Sequence, residues 1–138
     1  MSLSNEKNVI KSFVEEVFNK HNISATEKYF PKKNHSSIGQ ASAGFKQSLN
    51  ALFTAFPDIH AEVEHIVTEN DLVVVFLNFT GTHKGEFQGM PPTNKKINIR
   101  SADLYKIEDE MIVRHWDVVD QLNLLQQIGV ITFTHQNQ

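Results

Sequence analysis

Four side chains suited to moving a proton lie close together near the end of the chain: Ser101, Asp103, His115 and Asp117. Both stretches that hold them alternate as strands do, and side chains two apart on a strand point the same way. Ser101, Asp103 and Tyr105 therefore share a face with Ile97 and Ile99, while His115 and Asp117 share one with Met111 and Val113. A carboxylate on an apolar face is costly unless it is used. Burial raises its pKa, and a second carboxylate nearby raises it further, toward the value that suits a base taking a proton next to a carbonyl. An imidazole beside it can orient the carboxylate or donate to a developing enolate. Such chemistry requires neither a metal nor a nucleophile.

Whether the two faces coincide depends on the turn between the strands. A two-residue loop, Asp109-Glu110, pairs Glu108 with Met111 and sets Asp103 beside the face of Trp116. A three-residue loop, with Glu110 in the left-handed region, pairs Ile107 with Met111. That register sets Asp103 opposite His115 and Ser101 opposite Asp117. Clustering of the polar groups favours the three-residue loop, which is the expectation here. Asp117, flanked by Trp116 and Val118, is expected to be substantially removed from water.

Other polar residues have plainer readings. His60, Glu62 and Glu64 alternate as the wet face of a strand, and Arg100 and Arg114 are read as partners for carboxylates. His83 is read as a loop residue holding a backbone hydrogen bond, and Trp116 as core or pocket wall. With no cysteine, a catalytic thiol and thiolate-bound metal are excluded, and the seven histidines show no ligand spacing. GEFQGMPP lacks the lysine and hydroxyl ending of a phosphate loop. No metal and no organic cofactor are expected.

The elements that must position these residues are legible from periodicity. Val9, Ile10, Phe13, Val14, Val17 and Phe18 make a helical stripe. A short helix is expected from Ser24 to Phe30, and another from about Ala43 to Phe56, closed by Pro57. Strands are expected over residues 59–67, 72–80, 97–107 and 111–118, then a helix from Asp120 to Ile128 stopped by Gly129. Helices followed by antiparallel strands predict an α+β fold, with helices packed on one curved sheet. The 138 residues, 40% apolar and 21% charged, suit a single domain over 1–138 with a substantial core. The net charge of -3 gives no drive toward nucleic acid or anionic membrane. No targeting or membrane-spanning stretch is apparent, so a cytoplasmic location is expected.

The C-terminal half resembles the SnoaL-like polyketide cyclase (ester cyclase) family. The likeness is carried by FPD at Phe56 to Asp58, GTHKGEFQGMPPTNKK from Gly81 to Lys96, and RHWDVVDQLNLLQQIG from Arg114 to Gly129. It implies the cone-shaped fold of the nuclear transport factor 2-like superfamily, with helices and a bent sheet around a pocket. It also implies a cofactor-free intramolecular aldol closure in which an aspartate is the acid/base. By resemblance that aspartate is Asp117, accompanied by His115, with Asp103, Ser101 and His35 as polar pocket positions. The family's characterised members carry histidine at Asp103 and an amide at Ser101 and His35, which puts the substrate in doubt more than the chemistry. Isomerisation, dehydration or epoxide hydrolysis on the same fold, or a non-catalytic dimeric binding module, remain alternatives. The expected partners are a small hydrophobic carbonyl compound and a second copy of the chain.

Overall fold

In the computed structural model, which describes residues 5–31 and 36–132, the helical stripe begins as α1, Asn5–Phe13. It continues without a break as a π-helical turn over Val14–Asn19. The wider turn keeps Val14, Val17 and Phe18 in the same buried face as Ile10 and Phe13. The expected short second helix is a 3-10 segment, Ile23–Lys28. α2, Ser36–Ala55, starts earlier than its apolar spacing suggests. Its described C-terminal part turns Phe45, Leu49, Leu52 and Phe53 toward the core, and the chain leaves it through buried Phe56 and exposed Pro57.

Four antiparallel strands follow in simple order: β1 His60–Glu69, β2 Leu72–Thr82, β3 Lys96–Glu108 and β4 Met111–Val119. A closing helix, α3 Gln121–Gln127, is capped by the Asp120 carboxylate, which accepts from the Asn123 backbone N–H. Gly129, with φ 84°, ends it as expected. The inner faces of β2 and β3 are continuous and buried: Val73, Val75, Leu77 and Phe79 beside Ile97, Ile99, Ser101, Asp103, Tyr105 and Ile107. The helices pack against this face. Asn19 joins them to the sheet edge, its amide pairing with both the N–H and the C=O of Ala61.

Each edge strand carries a bulge, which bends it. In β1 the extra residue is Glu64, between the pairs Val63–Leu77 and His65–Phe76. In β4 it is Val113, between Ile107–Ile112 and Lys106–Arg114. The second bulge decides the site. The β3–β4 turn is the two-residue loop, Asp109 and Glu110 at φ 53° and 62°, with Glu108 paired to Met111. The expected three-residue turn is therefore wrong. The bulge nevertheless shifts the register by one residue, in the opposite sense to the longer turn, so Asp103 shares a face with Asp117 after all. Among the described residues no helix is long and apolar enough to cross a membrane.

Candidate active site

Asp103 sits on an interior strand between Val75 of β2 and Asp117 of β4, both directly paired with it. One step along, Tyr105 pairs with His115, and on the other side Ser101 pairs with Val119. The two expected opposites, Asp103 with His115 and Ser101 with Asp117, are thus each displaced by two residues. The four polar groups still line one cavity of about 500 Å³, together with Tyr105 and with Phe45, Ser48 and Leu49 of α2. A second cavity of about 450 Å³ adjoins it, lined mainly by Leu52, Phe56, Phe79, Phe87, Ile97 and Ile99. Ser48, Phe79, Asp117 and Val119 border both.

Burial falls on a different carboxylate from the one expected. Asp117 is exposed, whereas Asp103 is only 6% exposed. β4 is an edge strand and covers Asp117 from one side only, while β3 is flanked by strands on both sides. Asp103 Oδ1 has no hydrogen-bond partner, and Oδ2 accepts from the Ser101 hydroxyl at 3.5 Å. Burial first, and then the negative charge of Asp117, push the Asp103 carboxyl up to about 7, against the pull of the Ser101 and Tyr105 hydroxyls. Tyr105 is fully buried, and its phenol is raised well above the usual value for the same reason. His115 is lowered by burial, with Asp117 opposing. The arrangement thus offers, on one wall, a buried carboxyl that holds its proton toward neutral pH, an exposed second carboxyl and an imidazole whose cationic form is disfavoured. Among the described residues no group of three or more His, Asp or Glu side chains could hold a metal ion.

Two expected site residues do not join this wall. Trp116 pairs with Leu104, points to the outer face and lies under the Arg114 guanidinium at 4.7 Å, so it is neither core nor pocket wall. Strand alternation already separates it from its neighbour Asp117. His35 lies outside the described residues. Arg100 is held by Glu64 at 2.9 Å and Glu62 is exposed, which agrees with the plainer readings. His83 is fully buried, its backbone bonded to Lys95 and Asn94 and its Nδ1 accepting from the Thr93 N–H at 3.3 Å. It secures the loop that places Glu86, Phe87 and Gln88 on the second cavity. Glu86 and Gln88, with Ser48 and Gln121, carry no sequence signal that points to the site. They are single polar residues on loops and helix faces, with no spacing to mark them.

A family model described as SnoaL-like polyketide cyclase matches residues 8–128. The chain is similar to a candidate polyketide cyclase from Acidithiobacillus ferrooxidans, at 28% identity and TM-score 0.76 over 93% of this chain and 97% of that one. It is similar also to AclR, a candidate hydroxylase from Streptomyces galilaeus, at 25% identity and TM-score 0.82 over 98% and 87%. IdmH, a candidate polyketide cyclase from Streptomyces antibioticus, shares the fold at 23% identity and TM-score 0.76 over 91% and 99%. No curated protein matches the sequence significantly. The expected nuclear transport factor 2-like arrangement, helices over an antiparallel sheet, is the one observed.

Proposed function

The chain belongs to the SnoaL-like polyketide cyclase family, and on that premise we propose that its paired cavities hold a hydrophobic carbonyl compound on which Asp117 moves a proton, closing a ring by an intramolecular aldol step. One observation carries this reading. Among the described residues Asp117 is the one ionisable side chain bordering both cavities, so a ligand lying across the two passes it. The largely apolar second cavity suits a hydrocarbon or aromatic body. The polar wall of the first suits the reacting carbonyls. Asp117 is the base, His115 and Ser101 shape its surroundings, and no cofactor takes part.

The test is direct. The triketone 2-methyl-2-(3-oxobutyl)cyclohexane-1,3-dione closes by an intramolecular aldol, and NMR follows the product. Wild type should accelerate closure, and Asp117→Asn should remove the acceleration. The exposure of Asp117 favours a second reading, a non-catalytic pocket that binds a small apolar ligand. That reading predicts binding of the triketone with no closure by either protein.

A homodimer is also proposed. On the outer face two rows cross the whole sheet: Val67, Val74, Leu104 and Trp116, then His65, Phe76, Ala102 and Val118. Phe76, Trp116 and Val118 are exposed there, Val118 by 71%. A contiguous apolar face of this kind favours association with a second copy.

A further inference from the structure

We propose that Asp103 is the proton donor of this site, a carboxylic acid set across the strand pair from Asp117 that delivers its proton to the oxygen of the carbonyl under attack. This rests on the acid/base reading of the cavity and adds a second reacting group to it.

The geometry carries the inference. Asp103 and Asp117 are direct cross-strand partners, and both line the 500 Å³ cavity. Side chains so placed have Cβ atoms about 5 Å apart, near enough for one charge to govern the other. An ionised carboxylate accepts at both oxygens and donates nothing. Asp103 is 6% exposed, its Oδ1 is buried without a partner among the described residues, and its Oδ2 has a long bond from Ser101. That is a poor home for a charge and a reasonable one for a neutral acid, whose O–H still needs an acceptor. Among the described residues none takes up Oδ1, and a substrate oxygen in the cavity can do so.

The groups facing Asp103 agree. β3 presents the Ser101 and Tyr105 hydroxyls, β2 presents Val75, and the described part of α2 presents Phe45, Ser48 and Leu49. β4 presents Asp117 and His115, and burial disfavours the cationic form of that imidazole. Among the described residues no lysine or arginine lines this cavity. Burial and the Asp117 charge hold the Asp103 proton in place up to about pH 7. A buried carboxyl that keeps its proton beside an exposed one supplies an acid and a base.

The step balances. Asp117 takes a proton from the carbon next to one carbonyl, and the C–H electron pair becomes the enolate. The enolate carbon bonds to the second carbonyl carbon, whose C=O π pair moves onto oxygen. That oxygen takes the Asp103 proton and becomes a hydroxyl. The product is an isomer of the substrate. Return of the proton from Asp117 to Asp103 across the strand pair resets the site.

The experiment uses two probes at pH 6 with the full chain. Ring opening of 5-nitrobenzisoxazole needs a base alone, whereas closure of the triketone needs the base and then a proton. Asp103→Asn keeps the shape and the neutral charge but has no acidic proton. The ratio of closure rate to ring-opening rate should fall roughly ten-fold or more, within the range of general acid catalysis. Asp117→Asn should abolish both rates. An unchanged ratio in Asp103→Asn, with both rates lost in Asp117→Asn, overturns the proposal and leaves the base in place. Insensitivity of both rates to Asp117→Asn, or a wild type inert toward both probes, overturns the acid/base reading itself. Carboxyl-detected NMR gives a readout besides activity. Asp103 should keep its proton to near neutral pH, and its midpoint should fall in Asp117→Asn. An Asp103 midpoint in the ordinary carboxylate range also overturns the proposal.

Discussion

The Tyr105 ring and the His115 imidazole lie nearly parallel, 5.5 Å between centroids and 16° between planes. Their strands pair the two residues directly, and Phe45 meets the imidazole edge-on at 5.4 Å. Tyr105 is in turn edge-on to Phe13 at 5.8 Å, so the imidazole rests on the aromatic core of the helical layer. This packing half-buries His115 and disfavours its charged form.

His115 should therefore carry less positive charge at pH 6 than a free histidine does. Its folded pKa is depressed, so the stability it contributes is present above about pH 6.5 and is lost as pH falls below that value. His115→Phe keeps the stack and should lose less stability between pH 6.5 and 5 than wild type does. Nitrogen-detected NMR of the ring checks the charge state, and urea unfolding at the two pH values checks the linkage.

Asp103 works with the opposite sign. Its folded pKa, about 7, lies above the unfolded value, so its contribution is full below about pH 4 and is lost as pH rises through 7. At about 1.4 kcal/mol per unit, the loss amounts to roughly 4 kcal/mol by pH 8. Asp103→Asn has no such titration. Relative to wild type the variant should gain most of that amount between pH 4.5 and 8, while the other carboxylates cancel in the difference. Equal pH profiles for the two proteins would show that Asp103 is ionised in the fold.

The β3–β4 turn holds two non-glycine residues at positive φ, Asp109 and Glu110. Two-residue loops of this hand favour Asn or Asp followed by Gly, and a side chain in the left-handed region costs about 1 kcal/mol. Glu110→Gly should raise stability by about 0.5–1 kcal/mol in urea unfolding, since the relief of strain exceeds the added freedom of the unfolded chain. A loss of stability would mean that Glu110 has a partner in solution.

The outer face supplies the last expectation. Sedimentation at micromolar concentration should give a dimer for wild type and a monomer for Val118→Lys, because the lysine would bring a charge into the apolar rows. Wild type sedimenting as a monomer would remove the proposal.

What the sequence determined by itself is local. The period of two on each strand places Ser101, Asp103 and Tyr105 on one face and His115 and Asp117 on one face, whatever the strands do next. Apolar spacing likewise marks α1, the second half of α2 and all four strands, because burial of one side is written into each segment. The same rule separates Trp116 from Asp117, so its removal from the pocket was already legible. Register and strand order are not local. The turn residues Asp109 and Glu110 lack the glycine that announces a two-residue loop, and nothing in Val113 announces a bulge. Packing of the whole sheet chose both, and the two departures cancel in parity, which is why Asp103 and Asp117 meet although neither expected pair forms. Only the tertiary structure decided which of the two carboxyls is dry. Asp103 lies on a strand covered from both sides and Asp117 on an edge strand open along one, and neighbours that cover a residue from across a sheet leave no mark on the residues beside it in the chain.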